Sequence, residues 1–199
     1  MCKILAVTNR RLCQEPFPRR IARIVRSGVD GIILREKDLA EADYRLLARE
    51  ILPLCREARV PCLLHSFPAA AAELGADGLH LPLPLLRRLS AGERSAFSRL
   101  GASCHSLADV EEAAALGCTY VTLGHIFATD CKPGLPPRGL DLLREVCAAS
   151  PVPVYAIGGI APENLGQVRR AGAAGACLMS GLMQCPDPAR TVALLRRSV

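Results

Sequence analysis

The four histidines of the chain, His65, His80, His105 and His125, each fall at or near the end of a short apolar run. Arg35-Glu36-Lys37 closes another such run in the same way. Imidazole titrates near neutral pH, and Arg and Lys supply cations, so this set suits proton transfer on an anionic small molecule. Two further runs end in glycine turns, Ile157-Gly158-Gly159-Ile160 and Met179-Ser180-Gly181. Glycine lets the backbone approach an anion closely, and N–H groups at a helix start add donors and a favourable dipole. Such turns either receive a phosphate or simply reverse the chain. The segment from Gly124 to Gly139 is too polar and too rich in Pro and Gly for a helix, and it carries His125 and Lys132. Long loops over an active face act as lids or binding loops. On spacing alone, His125 reads either as an ordinary loop histidine or as an acid/base. A metal site is not expected, because no carboxylate accompanies the histidines in sequence and an ion needs its ligands within about 2 Å. His80 lies inside its run and reads as a packed or hydrogen-bonded core residue.

The runs that must position these residues alternate with helical patterns along the whole chain. Strands are expected at 3–7, 30–34, 61–65, 77–81, 98–103, 119–123, 152–157 and 175–179. Helices are expected near 17–27, 39–58, 68–74, 83–95, 106–116, 139–149, 162–171 and 186–197, from apolar recurrence at three and four residues. Glycines such as Gly28, Gly75, Gly117 and Gly172 stand where a helix should end and release the next strand. Recurring βα units with near-continuous apolar strands imply a parallel sheet. Eight of them predict an α/β (β/α)8 TIM barrel with its site at the C-terminal strand ends, where the loops after strands seven and eight often hold phosphate. A doubly wound open sheet is the competing architecture. No Pro-rich stretch is long enough for an interdomain linker, so residues 1–199 are expected to form a single domain.

Composition agrees. Half of the 199 residues are hydrophobic and 22% are charged, which excludes a disordered or fibrous chain. No apolar stretch reaches the roughly 18 residues that span a bilayer, and Met1–Val7 turns polar at Thr8, so a cytoplasmic protein without a membrane partner is expected. The net charge of +6 is scattered without interleaved aromatics or a binding motif, which argues against nucleic acid. Arg outnumbers Lys 22 to 3, so Lys37 and Lys132, both in loops after strands, stand out. The ten cysteines contain no CxxC pair and read as reduced, small core residues.

Gly28–Lys37, Gly75–Leu81, Ser103-Cys104-His105-Ser106, the loop 124–139, Ile157–Ile160 and Ser180 together make the chain resemble the thiamine phosphate synthase/TenI superfamily. The resemblance runs in order over nearly the whole chain and implies a (β/α)8 barrel acting on thiazole phosphates in thiamine biosynthesis. Synthases of this superfamily join a pyrimidine diphosphate to thiazole phosphate with Mg²⁺ and release pyrophosphate. The two aspartates that would bind Mg²⁺ align here with Ser66 and Leu85, and Ile33 replaces a glutamine. The loop Gly124-His-Ile-Phe-Ala-Thr-Asp-Cys-Lys132 is similar to the TenI branch, the thiazole tautomerases.

By resemblance, the expected activity is therefore aromatising tautomerisation of carboxythiazole phosphate, an isomerase reaction without a cofactor. His125 would be its acid/base, and Glu36 would orient or relay. Arg35 and Lys132 would hold the carboxylate, Lys37 and Ser103 would complete the substrate-binding set, and the Gly158-Gly159 and Met179-Ser180 backbone would hold the phosphate. Thiamine phosphate synthase, with Mg²⁺, is the alternative. A non-catalytic phosphoester-binding regulator is the second alternative. A phosphorylated thiazole is the expected partner, and a homodimer is a further possibility.

Overall fold

Side chains two apart along a strand share a face, so each short run divides between two apolar environments. In the computed structural model, which describes residues 2–198, the runs are β1 (Lys3–Val7), β2 (Gly31–Leu34), β3 (Cys62–His65), β4 (Gly78–Pro82), β5 (Leu100–Cys104), β6 (Tyr120–Gly124), β7 (Val154–Ile157) and β8 (Gly175–Leu178). They pair in parallel and in chain order, and β1 closes on β8 with Leu5 opposite Cys177. That closure excludes the open sheet and gives the (β/α)8 barrel. Leu5, Val7, Ile33, Leu63 and Cys177 fill the barrel with Tyr120 and Tyr155, whose rings meet edge to face at 5.6 Å. The alternate residues, such as Ile4, Ile32 and Leu64, face the helices. Glycines on the inner face make room for the tyrosines: a Cβ at Gly101 would lie 2.5 Å from the Tyr120 hydroxyl.

The helices cover the barrel because each carries one apolar stripe. The helix α1 spans Phe17–Val25 and α2 spans Glu41–Glu57; the latter buries Tyr44, Ala48, Ile51, Leu52 and Cys55 and opens on Glu41 and Asp43, which favour its N-terminal dipole. Next come α3 (Pro68–Glu73), α4 (Leu83–Leu86) and α5 (Ala91–Ser95). The single helix expected over 83–95 is thus two, because Ser90 and Glu93 form a reciprocal capping box that starts a new helix at Ala91. Ser106 caps α6 (Leu107–Ala115), followed by α7 (Gly139–Ala149), α8 (Pro162–Arg170), α9 (Ser180–Met183) and α10 (Pro188–Arg197). Gly28 and Gly117 end α1 and α6 at φ of +88° and +91°, a region that side chains with a Cβ avoid. The four-residue α9 and a 3₁₀ turn at Arg10–Leu12 are elements beyond those expected.

All ten cysteines are free. Cys55, Cys62, Cys118 and Cys177 are buried as apolar fillers, and burial pushes the Cys118 thiol up to about 12. Among the described residues, no helix is long and apolar enough to cross a membrane.

Candidate functional site

The C-terminal half of the barrel is polar. His65 ends β3, and His80, Ser103 and Thr122 sit on the inner faces of β4, β5 and β6. The His80 ring is held between the Tyr120 hydroxyl at Nδ1, 2.8 Å, and Ser103 Oγ at Nε2, 2.9 Å. Its ring stacks on that of His65 at 5.8 Å, and His65 Nδ1 meets Ser66 Oγ at 2.6 Å. Burial disfavours the charged imidazole and lowers His80 to about 3. His65 falls to about 2, first through burial and then through the positive field of His80, Arg35 and Lys37. Both are neutral at physiological pH.

The β2 end delivers Arg35 and Lys37 to the same cavity, and the loop after β6 delivers Lys132. Burial lowers Arg35, while burial, Arg35 and Lys132 together lower Lys37. Nearby carboxylates are engaged elsewhere: Glu36 and Asp38 pair with Arg10, and Asp38 also with Arg11. Among the described residues, Arg35, Lys37 and Lys132 have no carboxylate within ion-pair distance, whereas Arg87, which also lines the cavity, pairs with Glu112 at 2.6 Å.

Glu36 does not line the cavity. It is 2% exposed, and its Oε1 accepts the Thr8 hydroxyl at 2.7 Å and the Arg10 N–H at 3.1 Å. Its Oε2 accepts the Arg10 backbone and guanidinium at 3.0 and 3.3 Å. Thr8 Oγ1 in turn accepts the Arg35 N–H at 2.8 Å. The carboxylate therefore ties the loop after β1 to that after β2. A carboxylate with every oxygen committed to buried donors holds its neighbours in place and is not poised to relay a proton.

His125 begins the 124–139 loop and lines the cavity, with Nε2–H donating to the Leu135 carbonyl at 3.3 Å. The base of the loop packs on the β7 turn: Ile126 and Phe127 donate to Ile157 and Gly158 carbonyls at 2.9 and 3.1 Å. Gly158 and Gly159, at φ of +99° and +64°, are required by that approach, since a Cβ at 158 would lie 2.8 Å from His125 Cα and one at 159 would lie 2.8 Å from Phe127 Cβ. The glycine turn thus has a packing reason beside any anion. The N–H groups of Gly159, Ser180 and Gly181 find no acceptor among the described residues, and all three residues line the cavity.

The cavity at the strand ends holds about 880 Å³. It brings together Arg35, Lys37, Ser103, His125, Lys132 and both glycine turns, Gly158-Gly159 and Met179-Ser180. Sequence reasoning missed Asn9, Arg87, Thr122 and Gln184, which also line it. Thr122 could have been found from its inward register on β6. Asn9 and Gln184 carry no motif, because the 3₁₀ turn and α9 alone bring them to the rim. His105 Nδ1–H donates to the Gly124 carbonyl at 2.8 Å and braces the start of the loop.

A parallel barrel with a large cationic cavity at its C-terminal end, flanked by glycine turns after β7 and β8, defines a phosphate-handling enzyme barrel. The chain belongs to the thiamine monophosphate synthase family, whose model matches residues 4–182. It is 36% identical over 192 residues to the thiamine-phosphate synthase of Roseiflexus sp. strain RS-1, covering 93% of this chain and 80% of that protein. Identity to the synthase of Syntrophomonas wolfei is 33%, covering 91% and 88%. The solved thiamine phosphate pyrophosphorylase of Pyrococcus furiosus superposes with a TM-score of 0.84 at 25% identity, covering 98% and 94%.

These names overturn the expected tautomerase branch and the expected isomerase activity. That expectation rested on Ser66, Leu85 and Ile33, which stand where synthases carry other residues, and on His125 with the largely exposed Thr129–Lys132 run. Loops vary in sequence faster than the framework they join, so likeness along the whole chain outweighs them.

The side chains present do not match the magnesium implied for synthases. Ser66 turns its hydroxyl onto His65, and Leu85 packs against the core. Among the described residues, no group of three His, Cys, Asp or Glu could hold a metal ion. These residues do not form the hard oxygen cage a protein-held Mg²⁺ requires.

Proposed function

We propose that this chain is a transferase of the thiamine-phosphate synthase type, joining a pyrimidine diphosphate to a thiazole phosphate and releasing pyrophosphate. One observation carries the reading: a single cavity is lined by two kinds of anion-receiving group. Arg35, Lys37 and Lys132 supply charged side chains, and the Gly158-Gly159 and Met179–Gly181 turns supply backbone N–H groups. A reaction between a diphosphate and a monophosphate needs both. The names of the similar proteins support the same chemistry.

In this reading the bond from the pyrimidine-bearing carbon to the diphosphate oxygen breaks, and that carbon bonds to the thiazole nitrogen. The electron pair leaves on the diphosphate oxygen, where the three cations stabilise the growing charge. The glycine turns hold the thiazole phosphate, and Ser103 contacts substrate from the barrel floor. His125 stands at the wall as a hydrogen-bonding imidazole toward the departing group. Glu36 acts through Thr8 and Arg10 on the position of Arg35. The test is incubation with both precursors, following thiamine phosphate and pyrophosphate together. Stoichiometric appearance of both supports the reading, and absence of both over buffer overturns it.

A further inference from the structure

We propose that this site balances the charge of the diphosphate with its own cations, without a divalent ion held by protein carboxylates. The proposal rests on the transferase reading above and goes beyond it, because it starts from the mismatch between the side chains and a magnesium cage.

The mismatch is chemical. At the end of β3, the side chain facing the cavity is the His65 imidazole, and Ser66, where a magnesium-binding aspartate would stand, is bonded to it, His65 Nδ1 to Ser66 Oγ at 2.6 Å. A neutral pair of this kind can donate or accept a hydrogen bond but brings no negative charge to a cation. The carboxylates that do line the cavity are Asp109 and Asp130. Asp109 lies in the first turn of α6, its N–H bound to the capping Ser106, and its Oδ2 accepts the His105 N–H at 2.7 Å. Asp130 stands in the loop beside Cys131 and Lys132. The two come from separate elements, α6 and the loop that carries Lys132, and among the described residues no group of three His, Cys, Asp or Glu that could hold a metal ion includes either.

Against this stands a concentration of positive charge. Arg35, Lys37 and Lys132 face one wall, and the two nearest acidic side chains of that loop, Glu36 and Asp38, are taken by Arg10 and Arg11. Gathering like charges on one wall, with Arg35 half-buried and Lys37 and Lys132 exposed, costs free energy, and a bound polyanion offsets it. Guanidinium and ammonium donors also match diphosphate oxygens in direct charge-assisted hydrogen bonds. The protein thus supplies at this wall the charge that a bridging metal would otherwise bring.

The test is calorimetric binding of inorganic pyrophosphate to the full chain, in EDTA and then in Mg²⁺. The expected result is a Kd in EDTA within about threefold of that in Mg²⁺, with Lys37→Gln and Lys132→Gln each weakening binding in EDTA by about tenfold, which is about 1.4 kcal/mol. A Ser66→Asp variant should weaken binding in EDTA and gain a dependence on Mg²⁺. Binding seen only with Mg²⁺, tightening beyond tenfold by Mg²⁺, or lysine variants that bind as the parent does would each overturn the proposal. Turnover of the two precursors is scored separately. Its absence beside EDTA-resistant pyrophosphate binding sinks the transferase reading and leaves the charge balance standing.

Discussion

Gly158 lies against His125 so closely that a Cβ on the glycine would stand 2.8 Å from the histidine Cα, well inside van der Waals contact. The turn after β7 and the start of the 124–139 loop are therefore one packed unit, and the candidate residues His125 and Lys132 depend on it. Gly158→Ala should lose about 1–3 kcal/mol, from the clash and from a φ of +99° that alanine disfavours. Activity should fall with it. Gly117→Ala has a similar φ but open space around it, so it should cost less and leave turnover unchanged. Thermal unfolding and steady-state rates on both variants check this. Equal losses would remove the packing argument.

Thr8 bridges Arg35 and Glu36, donating to Glu36 Oε1 at 2.7 Å and accepting the Arg35 N–H at 2.8 Å. Thr8→Val keeps the shape, leaves the Arg35 N–H without its acceptor and takes one of its donors from Glu36 Oε1, at a cost of about 1–3 kcal/mol. In addition, KM for the diphosphate substrate should rise more than kcat falls, because Arg35 loses its anchor. A stability loss with unchanged KM would show that Thr8 and Glu36 do not position Arg35.

His65 and His80 stay neutral in the fold, with values lowered from 6.5 to about 2 and about 3. Below pH 6.5 the unfolded chain takes up protons that the native imidazoles refuse, so stability falls as pH drops from about 6.5 towards 3. Each excluded histidine contributes a slope of up to about 1.4 kcal/mol per pH unit in that window. Urea unfolding at pH 7, 6 and 5 should show a shallower dependence for His80→Gln than for the parent. Parallel curves would contradict the burial argument.

Gly101 gives room on the inner face to the Tyr120 ring, whose hydroxyl holds His80. Gly101→Ala should overpack this space by about 1–3 kcal/mol. Adding Tyr120→Leu, which removes the ring, should recover part of that loss in a double-mutant cycle. Strict additivity would mean that the two residues do not compete for the same space.

Much of this molecule follows from local pattern alone. The eight strands, most of the helices, the left-handed glycines that end α1 and α6, and the gathering of histidines and cations at strand ends are all written in periodicity and turn chemistry, which act over a few residues. So is the reading of the cysteines as unpaired thiols, since their spacing offers no framework, although only six of the ten are buried and Cys131 is exposed. Tertiary packing decided the rest. Glu36 sits between two candidate residues, yet its carboxylate turns away to Thr8 and Arg10, which are 28 and 26 positions distant along the chain. His80 became a neutral member of a network with Tyr120 and Ser103 because barrel closure, not sequence neighbourhood, brings β4, β5 and β6 together. Gly158 and Gly159 looked like an anion turn and are also the seat of another loop. The branch of the family was misjudged from a handful of positions, Ser66, Leu85, Ile33 and the 124–132 segment, while the likeness that corrects it is spread along the whole chain. Short-range physics determines which elements form; only closure of the barrel determines which side chains share a cavity, and with what charge.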